Sequence, residues 1–356
     1  MEITIHEVAV QDRKPRPDGT ALGFGQLFTD HMFVMAYDAA QGGWHDPAVR
    51  PYADFSLDPA AMVFHYGQAI FEGLKAYRGE NGAVHLFRPT ANIERMNGSA
   101  ARLCMPTLPA EMALAGLRTL VRTDAAWVPS APGATLYIRP TMIATEAALG
   151  VRPARQYLFF IIMSPVGAYY PEGFNPVRIY VTDQYVRAVP GGVGAAKAAG
   201  NYAASIRAAE EAKKKGFTQV LWLDACERRY VEEVGTMNIF FVMDDEVVTP
   251  PLGGSILPGI TRDSVLRLLR DWGHRVVERP VAIEEVVATS ASGSLKEAFG
   301  TGTAAVISPV GALHYKGQDC LINNGETGSL SRRLFDELQA IQYGRARDPY
   351  GWVETL

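Results

Sequence analysis

Apolar positions change their period several times along the chain, and each change marks an element. Apolar residues at every second place, or in a short unbroken run, read as strands; recurrence at three and four reads as one helix face. Residues 135–144 and 156–163 carry the first pattern and read as buried strands. Residues 23–37 are rich in aromatic and branched side chains and read as extended. Residues 69–87 hold two apolar-alternating arms around Asn81-Gly82, a hairpin turn signal. Pro89-Thr90-Ala91-Asn92 opens a helix through Leu103, with Pro106 and Pro109 beyond it. Residues 110–127 have the spacing of a second amphipathic helix.

Periodicity lapses at 164–176, which is dense in Pro and Gly and reads as an interdomain linker. It divides a small N-terminal domain, 1–163, from a larger one, 177–356. The second half alternates more. Strands are expected at 177–186, 217–223, 276–281 and 304–310, with a hairpin at 238–250 around Asp244-Asp245. Helices are expected at 201–215, closed by Gly216, at 261–272, closed by Gly273, and at 329–343. The fold class is α/β (α+β) in two domains with mixed sheets.

Composition narrows the function. The 356 residues carry a net charge of −4, which argues against attachment to nucleic acid or to an anionic membrane by bulk charge. Cys104, Cys226 and Cys320 form no Cys-x-x-Cys pair, which argues against a zinc ribbon and a dithiol motif. The N-terminus lacks a signal-peptide pattern, and no apolar run is long enough to span a bilayer, so a cytoplasmic location is expected.

Of 34 basic residues only eight are lysines. Lys213, Lys214 and Lys215 end a helix, where cations complement its dipole. Lys14, Lys75, Lys296 and Lys316 lie in mixed polar contexts that suggest nothing. Lys197 differs. Between Val189 and Tyr202 it is accompanied by Gly, Ala, Val, Pro and Asn alone. Such small neighbours let backbone approach a bound group closely. An amine that attacks a carbonyl must spend time neutral, and desolvation or a nearby cation brings that about. Taken alone, the segment reads more readily as a flexible surface loop with an ordinary lysine.

Three further features bear on that choice. Glu232 and Glu233 lie at the edge of an apolar strand pattern, so one of them is expected to face inward. A carboxylate opposite a pyridine nitrogen would hold it protonated. The Gly/Pro-rich run 251–260 leads into the helix at Thr261, where backbone N–H groups suit an anion. Phe299-Gly300-Thr301-Gly302-Thr303-Ala304 offers hydroxyls and close backbone in a turn. An amine, a carboxylate, an anion cradle and Tyr202 five residues after the lysine together fit pyridoxal 5'-phosphate.

The segments Phe71-Glu72-Gly73-Leu74-Lys75-Ala76-Tyr77, Lys197-Ala198-Ala199-Gly200-Asn201-Tyr202, Glu233-Val234-Gly235-Thr236-Met237-Asn238 and Leu257-Pro258-Gly259-Ile260-Thr261-Arg262 resemble those of branched-chain amino-acid aminotransferases. These are fold-type IV pyridoxal-phosphate enzymes. The resemblance runs from about Phe24 to the C-terminus. It implies that Lys197 forms the aldimine and shuttles the proton. Tyr202 would meet the cofactor's phenolic oxygen and Glu233 its pyridine nitrogen. Arg95, Thr236, Ile260, Thr261 and Thr303 complete the implied cofactor contacts. Phe24, Phe71, Tyr137, Thr236, Thr303 and Ala304 match substrate positions, with Arg139 for a glutamate side chain. Tyr66, Leu149 and Val151 match positions that reach in from a second subunit, which implies a homodimer. The implied reaction is reversible, ping-pong amino transfer from L-leucine, L-isoleucine or L-valine to 2-oxoglutarate, giving the branched-chain 2-oxo acid and L-glutamate. D-amino-acid aminotransferase and aminodeoxychorismate lyase share the fold and are the alternatives, with a non-catalytic cofactor-binding regulator as a remote one. Ala305 and Ser308 stand where mammalian members carry a Cys-x-x-Cys redox pair, so no thiol switch is expected.

Overall fold

Strand alternation organises the first half of the computed structural model, which describes residues 1–17, 19, 22–167 and 174–356. One sheet takes β1 (Thr4–Ile5), β2 (His31–Asp38), β3 (Gly43–Pro51), β4 (Ala69–Phe71), β5 (Leu74–Arg78), β6 (Val84–Phe87), β7 (Thr135–Ala144), β8 (Gln156–Val166) and the C-terminal strand Val353–Thr355. Their order is β1-β3-β2-β8-β7-β5-β6 and then the C-terminal strand, with β4 beside β7. Only the β1–β3 pair is parallel. Burial alternates along β7, as a strand with one face in the core requires. Helices α1 (Met62–Tyr66), α2 (Pro89–Arg102) and α3 (Ala110–Thr123) accompany this sheet. Ile93 and Met96 of α2 and Leu114, Leu117 and Leu120 of α3 enter one core with Phe33, Met35 and Ile138.

The second half builds another sheet from β9 (Val177–Thr182), β10 (Gln219–Leu223), β11 (Val231–Val234), β12 (Met237–Met243), β13 (Glu246–Thr249), β14 (Val276–Glu278), β15 (Leu295–Gly302), β16 (Val306–Tyr315) and β17 (Gln318–Leu321). The order is β11-β10-β9-β16-β15-β12-β13-β14, with β17 on β16. A further β11–β12 pairing closes the path from β11 to β12 into a ring. The β9–β10, β9–β16 and β13–β14 pairs are parallel and the rest antiparallel, so this sheet is mixed, as the sequence predicts. Phe240 and Phe299 stack in its interior at 5.2 Å. The helices are α4 (Ala199–Lys214), α5 (Ile260–Asp271), α6 (Ile283–Ser292) and α7 (Ser329–Gln342).

Two compact units result. One is Met1–Tyr169 with Ala196–Gly200 and Ala340–Leu356; the other is Tyr170–Ala195 with Asn201–Gln339. The short segment around Lys197 therefore groups with the first unit, although chain order alone assigns it to the second. Backbone bonds explain this. The Lys197 carbonyl accepts the Phe71 N–H at 3.1 Å, and Ala198 bridges Ile70.

Several expectations change: β9 ends at Thr182 and α3 at Thr123, short of the expected 186 and 127, and three further differences touch the site or the linker. Residues 23–30 lie outside β2, because Phe24 and Phe28 serve ring contacts with Tyr137 and Tyr52 instead of sheet positions. The expected linker loses its first three residues to β8; its residues 168–173 lie outside the described ones. Phe299 to Gly302 is not a turn but the end of β15, paired Thr301 to Ile307 on β16, and the turn is 303–305.

Candidate active site

In the first unit, β4 and α2 converge on a buried carboxylate. Glu72, next after β4, is fully buried. Arg95 grips it side-on: Nε donates to Oε1 and Nη2 to Oε2, each at 2.7 Å. Asn92 Nδ2 donates to Oε2 at 2.8 Å. Asn92, Arg95 and Ser99 share one face of α2 by their spacing of three and four. Ser99 Oγ donates to the Arg95 carbonyl at 3.1 Å and accepts the Lys197 N–H at 2.9 Å. Lys197 is thus fixed through its backbone on both sides.

The Lys197 amine lies 5.1 Å from the Phe71 ring centroid. Burial, and after it the Arg95 charge, lowers the amine to about 8; the Glu72 carboxylate acts in the opposite direction. Glu72 itself is held below the usual carboxylate range: burial opposes this, but Arg95 and then Lys197 outweigh it. Arg139 stacks over Phe71 at 4.6 Å and Tyr137 at 5.1 Å, and Phe24 meets Tyr137 edge-on at 5.0 Å. Arg139 Nη2 donates to the Tyr137 hydroxyl at 2.9 Å, while its buried Nε has no partner among the described residues. Phe24, Phe71, Tyr137 and Arg139 therefore gather with Lys197 and Arg95. Tyr66 ends α1 with part of its surface exposed, and Leu149 and Val151 lie past β7, exposed by 74% and 88%.

In the second unit, both Glu232 and Glu233 of β11 are buried, beyond the expectation that one would face inward. The loop before α5 serves both. Ser255 Oγ donates to Glu232, and the Leu257 N–H donates to Glu233 Oε1 at 2.7 Å. Burial pushes Glu232 up. Glu233 Oε2 pairs with Arg187 Nε at 2.8 Å, and Arg187 Nη1 donates to the Ser255 carbonyl at 2.8 Å. Arg187, Tyr202, Glu233, Thr236 and Leu257 line an open pocket together with Asn201, Ser205 and Gly235.

Close backbone approach requires glycine twice at this pocket. A Cβ on Gly194 would stand 2.2 Å from the Ser255 carbonyl oxygen. One on Gly259 would stand 2.0 Å from Asn238 Oδ1, whose Nδ2 donates to the Leu257 carbonyl at 2.9 Å. Asn238 thereby ties β12 to the loop that starts α5. Helix α5 begins at Ile260, one residue earlier than expected, and Gly259 brings no side-chain cap to its N-terminus. Ile260 and Thr261 thus occupy its first turn. Thr303 and Ala304 lie in the turn after β15, whose Thr301 pairs with Asn238.

Sequence reasoning misses Glu72, Arg187 and Lys75. Lys75, bland in its sequence context, is buried on β5 opposite Tyr137, and burial lowers it to about 8. Among the described residues no group of three or more His, Cys, Asp or Glu is placed to hold a metal.

Residues 69–313 match the family model for amino-transferase class IV. The chain is 55% identical, over 99% of its length and 97% of the relative's, to branched-chain-amino-acid aminotransferase 2 of Bacillus subtilis (strain 168). Its fold matches the crystal structure of the Escherichia coli branched-chain amino acid aminotransferase with a TM-score of 0.76, at 26% identity, over 91% of this chain and 98% of that one. A branched-chain amino acid aminotransferase from T.th., solved with pyridoxamine 5'-phosphate, matches with a TM-score of 0.75, at 26% identity, over 94% and 98%.

Proposed function

The chain belongs to the class IV amino-transferase family, and we propose how its own residues carry out branched-chain transamination. The reaction transfers the amino group of L-leucine, L-isoleucine or L-valine reversibly to 2-oxoglutarate, giving the 2-oxo acid and L-glutamate. The observation that carries this reading is the 55% identity over nearly the full chain.

Pyridoxal 5'-phosphate is the proposed cofactor. The donor set fits it: a desolvated amine for its aldehyde, a cation for its phosphate and a buried carboxylate for a protonated ring nitrogen. When bound, it supplies the electron sink that lets an amino acid lose its Cα proton.

Lys197 is the proposed catalytic residue. With its amine near 8, roughly a tenth is neutral at pH 7, far more than for an ordinary lysine. With the cofactor bound, it would carry the proton from the substrate Cα to the cofactor's C4′, and back in the reverse direction. Arg95, Ile260, Thr261 and Thr303 are assigned to the phosphate, Tyr202 to the phenolic oxygen, Glu233 to the ring nitrogen and Thr236 to the pocket wall. Phe24, Phe71, Tyr137, Thr236, Thr303 and Ala304 are assigned to the substrate. Apolar walls favour a branched alkyl group by ~0.8 kcal/mol per buried CH₂. Arg139, with its unpartnered buried Nε, is assigned to the glutamate carboxylate.

A homodimer is the proposed assembly. Phe64, Leu149 and Val151 are 61%, 74% and 88% exposed. Their segments are joined, since Met62 N–H donates to the Glu146 carbonyl and Ala148 N–H to that of Ala60. Tyr66, Leu149 and Val151 would then reach the substrate of a second copy. A cytoplasmic location is proposed from the three unpaired cysteines. Among the described residues no helix is long and apolar enough to cross a membrane.

The test is an amino-donor panel on purified protein with 2-oxoglutarate, followed by glutamate formation. L-leucine, L-isoleucine and L-valine should serve, and D-alanine should not. Absence of glutamate from L-leucine would sink the reading.

A further inference from the structure

We propose that Glu72 is a positioning residue, which holds the Arg95 guanidinium oriented for the cofactor phosphate and joins that cation to the Lys197 segment. The inference rests on the cofactor reading above and adds a residue to it. A carboxylate is costly to bury unless it is paired and hydrogen-bonded. Glu72 meets that condition with Arg95 twice, Asn92 once and the Gly73 N–H at 3.2 Å. The side-on grip uses one N–H of Nε and one of Nη2. A guanidinium has five donors in a rigid fork, so fixing this edge fixes where the Nη1 edge points. The arrangement is therefore more than charge neutralisation.

The same elements seat Lys197. Phe71, adjacent to Glu72, donates its N–H to the Lys197 carbonyl. Ser99, one turn along α2 from Arg95, receives the Lys197 N–H and bonds back to the Arg95 carbonyl. The Glu72 carboxylate acts electrostatically on both cations, Arg95 first and the Lys197 amine after it. A lone structural ion pair would need neither the Lys197 backbone bonds nor the shared helix face.

The test uses Glu72→Gln and Glu72→Asp beside the wild type. Two quantities are read: the affinity of cofactor-stripped protein for pyridoxal 5'-phosphate, and the pH midpoint of Lys197 acylation in that stripped protein, site by site, by mass spectrometry. In Glu72→Gln the affinity should fall by about tenfold or more. The Lys197 midpoint should move below that of the wild type, because the carboxylate that favours the charged amine is gone. Glu72→Asp restores the charge but not the reach, so its midpoint should return toward wild type while affinity stays low. A lower melting temperature with both readouts unchanged would overturn the proposal and leave Glu72 as a structural residue. Should Glu72→Gln not fold, Asn92→Ala removes one bond to the carboxylate and keeps every charge. Cofactor affinity then within about twofold of wild type would equally overturn it. If wild-type protein binds no pyridoxal 5'-phosphate, the cofactor reading fails instead, and the acylation arm still decides whether Glu72 controls Lys197.

Discussion

Arg187 and Glu233 form a buried ion pair, with Nε 2.8 Å from Oε2 and side chains 7% and 3% exposed. The guanidinium also holds the Ser255 and Gly194 carbonyls, at 2.8 and 3.3 Å. It therefore fixes the carboxylate and both loops around it together. Removing one partner of such a pair leaves a buried charge and costs about 3–5 kcal/mol. Arg187→Leu should lower the melting temperature markedly. Arg187→Lys should keep part of the stability but hold cofactor less tightly, since an ammonium cannot span the three acceptors in one plane. Thermal unfolding and cofactor titration, compared between the two variants, check this.

A second expectation concerns amine reactivity. In cofactor-stripped protein, Lys197 should acylate with a pH midpoint near 8. Lys215, raised by its hydrogen bond with the Tyr180 hydroxyl, should react only at clearly higher pH. Peptide-level mass spectrometry from neutral to strongly alkaline pH separates them. Equal midpoints would contradict a desolvated Lys197.

Lys75 offers a stability test. Its amine sits near 8 in the folded chain and near 10.5 when unfolded. The unfolded state therefore binds more protons between those values, so stability should rise with pH across that window. Below pH 8 the whole penalty for charging the buried amine applies. Lys75→Met removes this contribution, worth about 3 kcal/mol over the window. Urea unfolding at the two ends of that window should show wild type gaining on the variant by an amount of that order.

Much of this architecture is legible in the chain. Asn81-Gly82 marks the β5–β6 turn, and the expected spans of β7, α2, α4 and α5 lie within two residues of the observed ones. Lys197 stands out because no other charge lies near it in sequence. Glu72 and Arg187 do not, because a buried ion pair is made by tertiary packing. Arg95 lies 23 residues from Glu72 and resembles a solvated helix charge until β4 is placed beneath it. Lys75 is hidden by its alternation with Leu74 and Ala76, since period two cannot say that both faces of β5 are covered. Gly300 and Gly302 suggest a turn, yet both are strand residues against which Met237 packs.

The exposed apolar side chains past β7 lead to an assembly prediction. Leu149→Asp with Val151→Asp should leave the fold intact, because both side chains already face water. If they sit in a homodimer interface, burying two carboxylates there is unfavourable and the protein should sediment as a monomer. Loss of activity should accompany monomer formation if these side chains complete a second copy's substrate pocket. An unchanged dimer would place the interface elsewhere.

Two glycines near Lys197 should respond oppositely to alanine. Gly194 has the Ser255 carbonyl 2.2 Å from where a Cβ would stand, and backbone there is held by Arg187. Gly194→Ala must push that loop away, and overpacking of this kind costs about 1–3 kcal/mol. The displaced loop carries Leu257, whose N–H bonds Glu233, so cofactor affinity should fall along with stability. Gly200 lies in the first turn of α4 with nothing within 4 Å of its added Cβ. Gly200→Ala should instead stabilise the helix by up to about 1 kcal/mol. Chemical denaturation of both variants decides the matter. A Gly194→Ala protein as stable as wild type, with unaltered cofactor affinity, would show that the loop yields freely and that its contact with Ser255 does not set the pocket.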